Sequence, residues 1–500
     1  MILLTGANHS LARLLLASLS KDQPIRAVDI AFDAPLNAVE ARTGDLRDQA
    51  FVDAIVDGVD TVIHLSPIAA GFGNDSDTLD HATRGTYQLI NAVGERGARV
   101  ILGSTLDLFA PLWDRYRVDE VWRPQPSTDL PVLCAYLAEV ATREVVRVTR
   151  TPAICLRFGT LVDGALADPR HLHVDDAVAA IRSALAADVD GWRIFHIASG
   201  DNAAVPLARA ADEPLNFTSQ HVWSDATPPQ SPTKPTPIPA RPIRNVVVFG
   251  AGGPLGSQLA EDLTQHYTVR LTDIAPAEEL AQRPPQSPGA PLPKSPSAPH
   301  TWEIVDVRDA DQVMAACAGM DAIINVSVVR HDPADAFRVN TLGAFNVMRA
   351  AVAHGIHRVV HTGPFMLGER GAGGYDWDDY VVDDVPARPG TGWVYIPSKL
   401  LGQEICRVFA VNHGLSVPTL TFCAFRNPDV HNNRYIHPLS VSWQDAARAL
   451  RCAVAASAMP SPYEYMHIGA DLPHGVFPID KARRLLGWAP EHAFEELYQR

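Results

Sequence analysis

Short apolar runs alternate with longer stretches whose apolar residues recur every three or four positions, the pattern of buried strands alternating with amphipathic helices. The chain opens on MILLTG, an apolar strand ending in a small-residue turn, and SLARLLLASL (10–19) then carries a helical stripe. IRAVD ends at Asp29, a third strand region meets Asp45-Leu46, and DTVIHLS (60–66) is apolar enough to be buried on both faces. A helix over ATRGTYQLINAV, the strand RVILGST (99–105), a helix over YLAEVATREVVRV, the strand TPAICLRF and a helix over HVDDAVAAIRSAL complete this half.

The same order then begins again. NVVVFG, PLGSQLAEDL, TVRLTD ending at Asp273, the Asp306-Val307 pair, DAIINVS (321–327) and VNTLGAFNVMRAAV repeat it, followed by RVVHTGP (358–364), YIPSKLLGQEICRVF, VPTLTFCAF and VSWQDAARALRCAV. Such self-similarity predicts a tandem duplication. Strand–helix alternation predicts parallel sheets covered on both faces. The expected fold class is α/β: two doubly wound Rossmann-like domains, each with a small C-terminal substrate region. The first spans 1–225, a linker 226–242, and the second 243–500.

Composition sharpens this picture in three places. The 40 prolines among 500 residues exceed the usual ~5%, and segments 228–242 and 284–299 hold seven each. Both read as extended polyproline-rich chain, one as the linker and one as a surface insertion spanning 276–300. The formal charge, 42 − 57 = −15, argues against nucleic-acid binding, which needs a basic face. Six scattered cysteines fit a reducing cytoplasm better than a disulfide framework. No apolar run reaches the ~18 residues of a membrane span, and the N-terminus reads as strand, turn and helix rather than a signal peptide.

Candidate chemistry begins at VVVFGAGGPLG. Gly250, Gly253 and Gly256 follow a strand and open a helix at Pro254 and Leu255, the spacing that lets a backbone turn approach a pyrophosphate. The helix N-terminus would add N–H donors and positive dipole. Asp273, at the end of the next strand, can accept from both ribose hydroxyls and repels a 2′-phosphate, which favours NAD. In the first half Gly6 and Asp29 are kept, but His9 and Ala12 stand at the second and third glycine positions. That leaves either a weaker second coenzyme site or a structural shell.

With these residues in view, both halves resemble the extended short-chain dehydrogenase/reductase superfamily, in its NAD-dependent epimerase/dehydratase group. The resemblance rests on FGAGGPLG, Asp306-Val307, VNTLGAFNV, Tyr395-Ile-Pro-Ser-Lys399 and KARRLLGWAP (481–490). The second half is most similar to the short uronate-dehydrogenase-type members. The resemblance implies that Asp306 and Val307 contact adenine. It also implies a catalytic Ser or Thr, Tyr and Lys, in which the ammonium lowers the Tyr pKa and the hydroxyl holds the reacting oxygen. Tyr395 and Lys399 match, four apart on one helical face.

Two departures accompany the match. Gly363 falls at the hydroxyl position, with Thr362 adjacent as a substitute. In the first half Thr105 and Tyr136 are read at the corresponding places with Asp45 at the adenine end, but Val140 replaces the Lys. Activity is therefore expected in the second half alone. Arg157 is read as the counterpart of Cys423. The acidic run Asp376, Asp378, Asp379, Asp383 and Asp384 reads as a solvated loop, while Arg426, Asn432 and Arg434 are candidate substrate contacts. His354, His357 and His361 cross from helix to strand, and no metal site is expected.

The expected function is NAD-dependent oxidoreduction or epimerisation of a sugar, sugar acid or nucleotide sugar. The alternative is a weakly active or inactive NAD-binding sensor or scaffold, since both triads are incomplete. The family's dimer helices fall near 80–97 and 134–150, and near 334–354 and 394–412. The two halves are thus expected to pair within one chain as a pseudo-dimer.

Overall fold

A computed structural model describes the chain except residues 37–38, 70–71, 200–204, 224–229, 286–288, 365–393, 430–438, 474–476 and 496–500. The chain divides into two units, Met1–Lys234 and Pro235–Arg500, inside the first proline-rich segment. The two ends of that segment are held by different units. Ser231 Oγ donates to Asp114 Oδ1 at 2.7 Å in the first, and the Ile238 N–H donates to the His413 carbonyl at 2.9 Å in the second.

The first unit is built on a seven-stranded parallel sheet. Its order is Glu40–Thr43, Ile25–Asp29, Ile2–Thr5, Thr61–His64, Arg99–Thr105, Ala153–Phe158 and Trp192–Ile197. Alternate residues point to opposite faces, and both faces are covered. Leu3, Val28, Val62 and Val100 pack with Val52, Leu89 and Val93 on one side. Leu4, Ala27, Ile63 and Ile101 pack with Leu11, Leu15 and Ile181 on the other. That double burial is why the strands read as unbroken apolar runs.

The second unit repeats this order with Thr301–Ile304, Thr268–Asp273, Asn245–Phe249, Ala322–Asn325, Arg358–Pro364, Val417–Phe422 and Tyr463–His467. The first strand of each unit is central, so the turn that follows it opens at the crevice where strand order reverses. That is where such sheets bind ligands. Asp48 and Asp309 cap equivalent helices by accepting from the N–H groups two and three residues further on.

Two elements differ from the pattern-based expectation. Each helix carrying the Gly-Thr or Gly-Ala pair is interrupted by a wide π turn, His81–Gly85 after Asp75–Asp80 or Phe337–Leu342 after Pro333–Ala336, before regular helix resumes. In the second unit Asn340 lies in that turn and reaches across to two other segments. The proline-rich insertion is also tethered rather than free. Trp302 Nε1 donates to the Ala275 carbonyl at 3.1 Å, Lys294 pairs with Glu261 at 2.7 Å, and Asn427 Nδ2 donates to the Gly289 carbonyl at 3.1 Å. Among the described residues no helix is long and apolar enough to cross a membrane.

Candidate active site

The turn after Asn245–Phe249 depends on its glycines. Gly250 has φ +87°, and a β-carbon on it would come within 2.7 Å of the Ser327 backbone. A β-carbon on Gly256 would overlap the Gly250 carbonyl, so the helix Pro254–Leu263 could not sit against the turn. Gly253 faces open space instead, with nothing nearer than the Gly250 carbonyl at 3.6 Å. The second glycine is therefore free for a bound phosphate, and the first and third are required by packing.

Asp273 locks this turn from the next strand. Its Oδ2 accepts from the Gly252 N–H and its Oδ1 from the Ile274 N–H, both at 2.8 Å. A cavity of about 540 Å³ runs from here into the unit. Its outer end is lined by Gly250, Gly253, Pro254, Leu255, Gly256 and Asp273, then by Asp306 and Val307. The insertion supplies a wall through Pro284, Pro285, Pro291 and Pro293. The segment read as a surface insertion thus borders the outer end of the cavity. Burial works against the Asp306 charge, but hydrogen bonds from Arg308 outweigh it and hold the carboxyl below its usual range.

The inner end holds Thr362, Gly363, Tyr395 and Lys399. Tyr395 opens the helix Tyr395–His413, so both it and Lys399 face the cavity from one side. Lys399 Nζ lies 3.4 Å from both the Ser327 carbonyl and Thr362 Oγ1, and Thr362 donates to the Asn325 carbonyl at 3.1 Å. Burial, with Arg330 adding to it, pulls Lys399 down to about 7. Burial pushes the Tyr395 phenol up, and the Arg330 charge opposes that rise. Phe422, Phe425 and Trp443 form an aromatic wall, with the Phe425 and Trp443 rings stacked 4.3 Å apart.

Gly363 does not leave an empty hydroxyl position. A β-carbon there would overlap Nε2 of Gln403, two turns along the helix from Tyr395. Gln403 was not visible as a site residue in the sequence. Neither were Gly252, Asn340 or Arg330, although Asn340 stands inside the quoted VNTLGAFNV segment.

The first unit departs further than its sequence suggests. Its long helix ends at the left-handed Arg150 (φ 56°), as the second unit's ends at Gly414 (φ 62°), and the next strand starts three residues later in both. The offset is 414 − 150 = 264. Tyr136 therefore corresponds to Leu400, while Pro131 and Ala135 occupy the places of Tyr395 and Lys399. Strand register likewise pairs Ser104 with Arg157 and Gly363 with Thr421, which makes Ser104, not Thr105, the counterpart of Gly363. Thr105 caps the following turn by accepting from the Asp107 N–H. Arg157 corresponds to Thr421 rather than Cys423.

Around Ser104 the first unit carries a buried ionic cluster. Ser104 Oγ donates to Glu139 Oε1 at 2.5 Å, and Arg157 grips both Glu139 oxygens at 2.9 and 2.8 Å. Its glycine turn is modified as well. Gly6 keeps φ +70° and Asp29 still accepts from the third residue of the turn, here Asn8. Asn8 is then tied to Ala31 and Arg13, and His9 stands half-buried where the second unit has Gly253. Asp45 accepts a pair of bonds from Arg47, as Asp306 does from Arg308.

Of the remaining candidates, His354 Nε2 donates to the Met314 carbonyl at 2.9 Å while His361 is buried beside Lys399, and among the described residues the three histidines do not converge. Arg426 lies in the short strand Ala424–Arg426. The acidic run, Asn432 and Arg434 lie outside the described residues.

The family model for the NAD dependent epimerase/dehydratase family matches residues 2–129 and 246–437. The chain is 28% identical over 183 residues to a uronate dehydrogenase of Pseudomonas putida, covering 36% of this chain and 60% of that protein. It is 30% identical over 186 residues to a dihydroflavonol 4-reductase of Zea mays, covering 35% and 51%. It thus spans between about half and three fifths of the length of these relatives. A solved uronate dehydrogenase from Agrobacterium tumefaciens is 25% identical, with 51% of this chain and 87% of that chain covered and a TM-score of 0.40. With family matches in both units that together span more than half of its residues, the chain belongs to the NAD dependent epimerase/dehydratase family.

Proposed function

We propose that the second unit binds NAD in the cavity behind Gly250–Gly256 and oxidises or epimerises a hydroxyl of a sugar-type substrate, with uronates the first class to test. The observation that carries this reading is that half-buried Tyr395 and buried Lys399 together line the inner end of the cavity whose outer end is the glycine turn and Asp273. Bound NAD supplies the hydride acceptor. Tyr395, as phenolate, takes the hydroxyl proton as the C–H hydride leaves and the carbonyl forms. Lys399 and Thr362 lie at the same end to hold the reacting oxygen and its neighbours, and the Phe425–Trp443 wall offers an apolar face. Residues 1–234 serve as a structural unit, because Pro131 and Ala135 supply neither the acid/base nor the ammonium. The pairing of family-type helices from the two halves is part of the same proposal, and solution scattering tests it.

The deciding experiment is turnover of NAD across uronates, hexoses, sugar phosphates and nucleotide sugars, with coenzyme binding measured in parallel. Tyr395→Phe is expected to abolish turnover by a factor of ~100 or more while sparing NAD binding. NAD binding without turnover on any member of the panel would favour a sensor or scaffold, the reading to which Gly363 and Gln403 point.

A further inference from the structure

We propose that Arg330, in the loop after the strand Ala322–Asn325, is the cationic partner of the Tyr395 phenolate. This rests on the proposed role of Tyr395 as the acid/base. The Arg330 guanidinium carbon stands 5.6 Å from the centre of the Tyr395 ring, on its face. Both residues line the same cavity. Among the described residues Arg330 has no carboxylate partner. A guanidinium over a phenol face is attracted weakly by the neutral ring and strongly by the phenolate.

The backbone around Arg330 is built to hold this arrangement. Asn340, in the π turn, accepts the Val329 N–H on Oδ1 at 3.1 Å and donates from Nδ2 to the Val329 carbonyl at 2.7 Å. The same Nδ2 donates to Ser398 Oγ at 2.9 Å, and Ser398 Oγ donates to the Tyr395 carbonyl at 3.0 Å. One amide therefore clamps the peptide next to Arg330 to the turn of helix that carries Tyr395. Asn340 and Ser398 are both buried, so water does not compete for these bonds.

Lys399 is less well placed for the task. Its Nζ lies 3.4 Å from the Ser327 carbonyl and from Thr362 Oγ1, and burial, which pulls it down to about 7, leaves it only partly charged near neutral pH. The Arg330 charge opposes the rise of the Tyr395 phenol, while Cys423, which acts in the other direction, is itself pushed up to about 12 by burial. A neutral thiol supplies no field. A guanidinium, by contrast, is a permanent cation in proteins.

The test is the ionisation of Tyr395 itself, followed by fluorine NMR on fluorotyrosine-labelled full-length protein, with the resonance assigned by its loss in Tyr395→Phe. Arg330→Gln is expected to raise the Tyr395 midpoint by about one pH unit, and Arg330→Lys to return most of that shift. An unmoved midpoint in Arg330→Gln would overturn the proposal. So would a midpoint that rises equally in Arg330→Lys, which would mean that shape and not charge is responsible. NAD affinity measured on the same samples reports folding of the site. Because ionisation is read directly, the result stands apart from turnover: loss of activity in Tyr395→Phe tests the proposed function, and the midpoint tests Arg330.

Discussion

The Gln403 side chain fills the space in front of Gly363. A β-carbon on Gly363 would overlap Gln403 Nε2, and that buried amide nitrogen finds no hydrogen-bond acceptor among the described residues. The two positions therefore exclude one another's larger forms. Gly363→Ser alone is expected to lose ~1–3 kcal/mol of stability through overpacking. Combined with Gln403→Ala it should fold normally and raise turnover, up to about a hundredfold, by restoring a hydroxyl at the reacting oxygen. Denaturant unfolding and kcat on the two variants check both statements.

The register of the long helix in the first unit makes a second expectation. Tyr136 corresponds to Leu400, so Tyr136→Phe should leave NAD binding and turnover within error of the parent protein. Isothermal titration and steady-state kinetics report this directly. A large loss of turnover would mean that the first unit carries chemistry after all.

The ionic cluster in the first unit should be costly to break. Glu139 and Arg157 are both buried, and the pair is bidentate. Glu139→Gln leaves the guanidinium without a compensating charge and is expected to cost ~3–5 kcal/mol. Glu139→Leu with Arg157→Leu should cost much less, since an apolar pair of similar volume needs no desolvation of charge. Comparing the two unfolding curves separates loss of a contact from an orphaned ion.

Lys399 gives the coenzyme-free protein a specific pH dependence. Its pKa is near 10.4 when unfolded and is held at about 7 in the folded state, so between these values the unfolded chain binds more protons. Stability contributed by this group must therefore rise as pH increases from about 7 towards 10, and be at its lowest below pH 7. Lys399→Met should remove that rise, and the difference between the two unfolding free energies across this window is the measurement.

Asp273 is expected to act on the turn as well as on the ribose. Its two oxygens already accept the Gly252 and Ile274 N–H groups. Asp273→Ala should weaken NAD binding by more than tenfold, in line with the ~1.5–3 kcal/mol of a charged hydrogen bond. Asp273→Asn should recover only part, because one oxygen becomes a donor facing an N–H.

The alternation of buried runs and amphipathic stripes was enough to place two doubly wound parallel sheets, the glycine spacing marked the turn that meets Asp273, and the family resemblance singled out the Tyr395–Lys399 pair. These depend on short-range spacing: a strand needs alternate residues for two faces, a turn needs glycine where φ is positive, and four residues make one helical turn. What occupies a site depends instead on residues from separate elements meeting. Gln403 in front of Gly363, Arg330 over Tyr395 and Asn340 bridging Val329 to Ser398 have no local signature. The displacement of Tyr136 shows the same limit. Motif order aligned it with Tyr395, but packing fixes a helix by where it ends against the next strand, and the anchors at Arg150 and Gly414 put Pro131 there instead. Local chemistry chose the elements, and the closing of those elements on one another decided which side chains share a cavity.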